Sequence, residues 1–121
     1  MPRILVVDDD PDMRAMLQQT LQNAGHEVFS AADGREALKQ NRLTAADLAL
    51  VDIFMPNKDG FETIAQFRKE FPKVGLIAMS GRPPEAHVLT VAQRLGAIEV
   101  LQKPFVADEV LTAVAKVLAR P

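Results

Sequence analysis

Two stretches decide the fold: Ile4-Leu5-Val6-Val7-Asp8-Asp9 and Leu48-Ala49-Leu50-Val51-Asp52. Each is an apolar run of strand length that ends in aspartate. If both runs are parallel strands of one sheet, their carboxylates meet at its carboxyl edge, where open α/β sheets bind ligands. Three carboxylates in one place repel one another unless a cation is bound or their pKa values rise. The two runs therefore predict both a sheet and a cation site.

The rest of the chain supports such a sheet, because apolar runs and segments of helical periodicity alternate five times. Strict alternation predicts parallel strands, right-handed crossovers and helices on both faces. The second and fifth runs contain polar residues, which places them at the sheet edges. The predicted fold is α/β, a flavodoxin-like (βα)5 three-layer sandwich with strand order 2-1-3-4-5. Its strands are expected near residues 4–7, 28–31, 48–51, 76–79 and 98–101.

The first helix has clear start and stop signals. Asp10 is the predicted N-cap with Pro11 at the first helical position, and Gly25 is the predicted stop. Asp10 and Asp12 are therefore assigned to the helix end rather than to the cation site. Met16 is predicted to lie on the buried face of this helix.

Length and composition exclude several classes of protein. A chain of 121 residues suffices for one core, so residues 1–121 are predicted to form a single domain. With 14 basic and 16 acidic residues the net charge is −2, which argues against nucleic-acid binding. The absence of cysteine excludes a disulfide scaffold or a thiolate metal site. No apolar run is long enough for a membrane span or a signal peptide, so a cytoplasmic protein is expected.

Two further polar residues follow the fourth and fifth predicted strands. Ser80 and Lys103 both belong at the same sheet edge as Asp52. A divalent ion and an ammonium group neutralise phosphoryl oxygens, and a hydroxyl donates a hydrogen bond to them. An aspartate carboxylate can itself be the nucleophile and form an acyl phosphate. The set predicts a phosphoryl acceptor, with Mg²⁺ as the first choice of ion and Mn²⁺ able to substitute.

At this point the residues match a known family. The chain resembles the receiver domain of two-component response regulators over essentially its whole length. Each motif alone is weak, but together, in this order and spacing, they are specific. The matching positions are Asp8-Asp9, Asp52 followed by Met55-Pro56 and Asp59-Gly60, Ser80, and Lys103-Pro104-Phe105.

The resemblance implies a role for each site residue. Asp52 would accept the phosphoryl group, and Lys103 and Ser80 would assist. The peptide bond before Pro104 is expected to be cis. The implied ligands of Mg²⁺ are Asp9, Asp52 and the main-chain carbonyl of Phe54, with Asp8 acting through metal-bound water.

The resemblance also implies partners. A histidine kinase or a histidine phosphotransfer protein would donate the phosphoryl group from a phosphohistidine. The domain would catalyse only its own phosphorylation and dephosphorylation, so it is not expected to be an enzyme. Phosphorylation would shift a pre-existing equilibrium of the fourth helix, fifth strand and fifth helix. That face is expected to contact an output domain or a downstream protein.

The sequence departs from the family pattern at Val100. Many receivers carry Tyr or Phe three residues before the lysine, and the aromatic side chain reports phosphorylation. With valine there, movement of the loop at residues 80–82 is expected to carry more of the signal. Phe54 and Arg82 would lie over the phosphoryl site, and we expect them to set the lifetime of the acyl phosphate.

Two other functions are compatible with parts of the pattern. Asp8-x-Asp10 resembles the acidic pair of haloacid-dehalogenase-like phosphatases, in which Asp8 would be the nucleophile and Asp10 the acid-base. The short chain argues against this alternative because no cap domain fits. A degenerate receiver that serves only as a docking surface is the third possibility, and the intact acidic set argues against it.

Overall fold

The computed structural model describes residues 1–53, 60–81 and 86–120, with residues 86–89 described by their backbone alone. None of the helices in this part of the chain is long and apolar enough to cross a membrane. The strands are β1 (Arg3–Val7), β2 (Glu27–Ala31), β3 (Leu48–Asp52), β4 (Gly75–Ser80) and β5 (Glu99–Gln102). The helices are α1 (Pro11–Asn23), α2 (Gly34–Leu43), α3 (Gly60–Glu70), α4 (Ala86–Leu95) and α5 (Ala107–Leu118).

The strands form one parallel sheet of order β2-β1-β3-β4-β5, which confirms the predicted fold. The two strands with polar residues, β2 and β5, lie at its edges as predicted. In the register of the sheet, Val51 of β3 lies between Val7 of β1 and Ala78 of β4. The carboxyl ends of the three central strands therefore lie side by side.

The core lies on both faces of the sheet. Alternate residues of β1 face opposite ways: Leu5 and Val7 belong to one apolar cluster, and Ile4 and Val6 belong to the other. The first cluster is completed by α2, α3 and α4, and the second by α1 and α5. Strands covered on both faces need continuous apolar runs, which is why β1, β3 and β4 contain them.

Helix α1 begins as predicted, but its buried face is narrower than the sequence pattern predicted. The Asp10 carboxylate accepts the Asp12 N–H at 2.9 Å, and Gly25 follows the helix with φ of 94°. Met16 is 37% exposed, so its predicted place in the core is wrong. The buried stripe runs through Leu17 and Leu21, one turn apart. Met16 precedes Leu17 by one residue and is rotated by about 100° from it around the helix axis.

Candidate functional site

Three carboxylates meet at the carboxyl edge of the sheet. Oxygen atoms of Asp8, Asp9 and Asp52 all lie within 4.8 Å of one another. Asp8 is completely buried and Asp52 is 4% exposed, whereas Asp9 is exposed. The structure thus brings together the three residues that the strand pattern predicted to converge.

The register of the sheet explains this convergence. Val7 pairs with Val51, so the next residue of each strand, Asp8 and Asp52, emerges at the same level. Asp52 pairs in turn with Met79 of β4, and Ser80 follows directly at the end of that strand. Ser80 is completely buried. Because these parallel strands end in register, they bring Asp8, Asp52 and Ser80 to the same edge of the sheet.

Lys103 is the cation of the cluster. Its Nζ lies 2.6 Å from Asp8 Oδ2 and 3.3 Å from Asp52 Oδ2, and its side chain is 16% exposed. Burial lowers the pKa of Lys103, but the hydrogen bond with Asp8 and the charges of both carboxylates outweigh it and raise the pKa above its ordinary value. Lys103 therefore stays charged and is an internal counter-ion for two buried aspartates.

The main chain of Lys103 is also bound to the neighbouring strand. Its N–H donates a hydrogen bond of 2.7 Å to the Ser80 carbonyl oxygen. The Lys103–Pro104 peptide bond is cis, as expected. The hydrogen bond joins Lys103 to Ser80, the two residues predicted to assist the phosphoryl acceptor.

Asp8 and Asp9 differ in what their carboxylates already bind. Asp8 Oδ1 accepts the Asp10 N–H at 2.9 Å, and Asp8 Oδ2 accepts the ammonium of Lys103. Both oxygens of Asp8 are therefore engaged within the protein. Asp9 instead presents an exposed carboxylate next to the buried Asp52.

The structure shows why residue 60 is a glycine, a reason that sequence reasoning did not identify. A Cβ atom at this position would lie 2.1 Å from the Asp52 carbonyl oxygen and 2.3 Å from Ile53 Cα. The Gly60 N–H donates to the Ile53 carbonyl oxygen at 2.9 Å. Only glycine lets α3 begin against the end of β3. The Asp-Gly pair in the sequence was a signal for this close approach.

Several of the predicted positions fall on residues that the structure does not describe. Phe54, Met55-Pro56, Asp59 and Arg82 lie outside the described residues. Val100, where many receivers carry an aromatic residue, is partly buried and packs against the apolar cluster formed with α2, α3 and α4. Asp10 caps α1, as predicted, and this engages its carboxylate.

The donor set fits a hard divalent cation. It consists of carboxylate oxygens, which Mg²⁺ and Mn²⁺ prefer over nitrogen or sulfur ligands. Among the described residues, Lys103 is the cation that forms ion pairs with these carboxylates, and one ammonium does not balance three carboxylates. A divalent ion would balance the remaining negative charge. An acidic cluster of this kind is compatible with metal binding.

Comparison with known proteins agrees with this geometry. A family model described as Response regulator receiver domain matches residues 4–115. The chain is 33% identical over 118 residues to the alkaline phosphatase synthesis transcriptional regulatory protein PhoP of Bacillus subtilis, covering 98% of this chain and 49% of PhoP. It is 35% identical over 116 residues to the chemotaxis protein CheY of Thermotoga maritima, covering 95% of this chain and 96% of CheY.

A solved structure gives the same result. The crystal structure of the response regulator TrrA from Thermotoga maritima in complex with Mg²⁺-BeF superposes with a TM-score of 0.86 at 35% identity, covering 97% of this chain and 99% of that one. The chain spans about half the length, or less, of the transcriptional regulators it matches and nearly all of CheY. It belongs to the response regulator receiver domain family.

Proposed function

We propose that residues 1–121 act as one receiver domain in which Asp52 accepts a phosphoryl group from a phosphohistidine. The donor would be a histidine kinase or a histidine phosphotransfer protein. The observation that carries the proposal is the setting of Asp52, which is 4% exposed, lies beside two more carboxylates and has the Lys103 ammonium 3.3 Å away. Such a setting suits a nucleophile that receives an anionic group.

Mg²⁺, or Mn²⁺ in its place, would be held by Asp9, Asp52 and the main-chain carbonyl of Phe54. Asp8 would act through metal-bound water, and the engagement of both its carboxylate oxygens supports this division of roles. When bound, the ion would neutralise charge on the phosphoryl oxygens. TrrA, a relative of this chain, was crystallised with Mg²⁺-BeF.

The transfer itself requires little from the protein beyond placement and charge. A carboxylate oxygen of Asp52 would attack phosphorus, an O–P bond would form and the N–P bond of the phosphohistidine would break. Lys103 would donate a hydrogen bond to a phosphoryl oxygen, and the Ser80 hydroxyl would donate another. The raised pKa of Lys103 supports this role because the group remains an ammonium ion through the physiological range.

Signal output would use the face formed by α4, β5 and α5. The Lys103 N–H bond to the Ser80 carbonyl supports such coupling, because it ties the end of β4 to the end of β5. A shift of Ser80 toward a phosphorylated Asp52 would therefore displace the chain that follows β5. The recipient would be an output domain or a downstream protein, with no direct nucleic-acid binding by this domain.

The test is phosphorylation by acetyl phosphate and Mg²⁺, followed by intact-mass measurement. Wild type is expected to gain one phosphoryl group, and Asp52→Asn is expected to gain none. Asp10→Asn is the matched control, because asparagine is an equally good N-cap and the residue lies next to the site. Labelling that survives in Asp52→Asn would refute the proposal. Turnover of a phosphomonoester with Mg²⁺ that Asp10→Asn abolishes would favour the phosphatase alternative.

A further inference from the structure

Arg14 joins the start of α1 to the main chain of Asp8. Its Nη1 donates a hydrogen bond of 2.7 Å to the Asp8 carbonyl oxygen, six residues back in the chain, and the side chain is partly buried. Side chains on a helix lean toward its N-terminus, so an arginine in this place can reach back over the first turn. The contact falls on the peptide unit that links Asp8 to Asp9.

The helix alone does not account for an arginine at this position. The N-terminal end of a helix carries partial positive charge, which disfavours a cation nearby. Helix α1 begins at Pro11, and the Arg14 N–H donates to the Asp10 carbonyl oxygen at 3.0 Å, so the residue lies close to that end. The interactions that offset this cost are the carbonyl of Asp8 and the negative charge of the carboxyl edge.

Four hydrogen bonds from the described residues hold Asp8, and the bond from Arg14 acts on the peptide that follows it. The Asp8 N–H donates to the Ala31 carbonyl oxygen at 3.2 Å, and its two carboxylate oxygens accept from Asp10 and Lys103. These bonds fix the amide and the side chain of Asp8. Among the described residues, its carbonyl oxygen accepts from Arg14. The orientation of that carbonyl sets the direction in which Asp9 leaves the strand.

We propose that Arg14 is a positioning residue of the metal site, which aims the Asp9 carboxylate at the divalent cation by holding the peptide between Asp8 and Asp9. The inference rests on the proposed function, in which Asp9 is a direct ligand. The effect on cation binding expected from losing this positioning role is opposite in sign to the effect of losing the charge of Arg14. Removing a positive charge near three carboxylates strengthens cation binding, whereas loss of alignment of Asp9 weakens it.

The experiment measures the Kd of Mg²⁺ alone for the unphosphorylated full chain, by calorimetry or by amide chemical shifts. Arg14→Met keeps an apolar stem and removes the guanidinium. Its Kd is expected to rise by about 10-fold, the effect typical of removing a group that orients a metal ligand. Arg35→Met is the control, because Arg35 is an exposed cation in the first turn of α2 at the same sheet edge. Its Kd is expected to be unchanged or slightly lower.

Thermal unfolding without Mg²⁺ shows whether each variant is folded. If Arg14→Met does not fold, Arg14→Lys takes its place, and its Kd is expected to exceed that of wild type several-fold because the shorter side chain holds the carbonyl less well. A Kd equal to or below that of wild type, in whichever Arg14 variant folds, overturns the inference. If wild type itself binds no Mg²⁺ at millimolar concentrations, the metal site of the proposed function fails, and the role of Arg14 fails with it.

Discussion

Replacing Gly60 with alanine is expected to lower the free energy of unfolding by about 3 kcal/mol. The added Cβ would lie 2.1 Å from the Asp52 carbonyl oxygen, and ordinary contact begins only at 3.4 Å. The three nearest atoms all belong to the main chain of Asp52 and Ile53, so no side-chain rotation can relieve the contact. Overpacking of this kind costs about 1–3 kcal/mol, and the displaced Gly60 N–H to Ile53 carbonyl bond adds about 1 kcal/mol.

Urea unfolding followed by circular dichroism measures this loss, and Gly81→Ala provides the matched control. A Cβ on Gly81 would meet Lys103 Cδ at 3.7 Å, which is ordinary contact. The control is expected to change stability by less than about 1 kcal/mol. A loss of about 3 kcal/mol would lower Tm by roughly 10 °C in a chain of this size. Equal stability of the two variants would refute the argument that the backbone of Asp52 excludes a side chain at Gly60.

Two further predictions concern charged groups. Lys103→Met removes the ammonium between Asp8 and Asp52, so the metal-free protein is expected to lose about 3 kcal/mol of stability. Its Mg²⁺ Kd in a calorimetric titration should fall because a competing cation is gone, and a rise would contradict the role of Lys103 as counter-ion. In the exposed pair of Arg42 and Glu70, the hydrogen bond from Arg42 lowers the pKa of Glu70 from its ordinary 4.5. The stability that this pair contributes is present above pH 4.5 and is lost as the pH falls through the lowered pKa. The Tm difference between wild type and Glu70→Gln is therefore expected to be small at neutral pH and absent in strong acid, and a difference that persists in strong acid would assign it to another cause.

The sheet and the acidic cluster were predictable because each follows from a regular pattern. Strands covered on both faces must be apolar at successive positions, and β1, β3 and β4 show this plainly. The aspartates that follow β1 and the aspartate that ends β3 then converge because the two strands end in register. The width of the buried stripe on α1 was not predictable in the same way. It depends on how α1 rests on the sheet and α5, so Met16 fits the helical period and still lies outside the core.

Two contributions to the site escaped prediction because they involve parts of the chain that no periodicity relates. Arg14 reaches the Asp8 carbonyl through a long side chain, and sequence spacing does not determine where such a side chain ends. The need for glycine at residue 60 arises from the main chain of Asp52, eight positions earlier. A motif can mark such a residue, but the atoms that exclude its side chain become visible only in three dimensions.

The bonds of Lys103 affect how the carboxyl ends of the strands open in local unfolding. Its main chain is bound to Ser80 at the end of β4. Its ammonium is bound to Asp8, which follows β1, and to Asp52, which ends β3. One residue after β5 thus links the carboxyl ends of the four strands β1, β3, β4 and β5. These ends are expected to open together in local unfolding, so the Lys103 amide should exchange its hydrogen as slowly as amides of the central strands. The side chain and the main-chain N–H of Lys103 would both contribute to cooperativity at this edge.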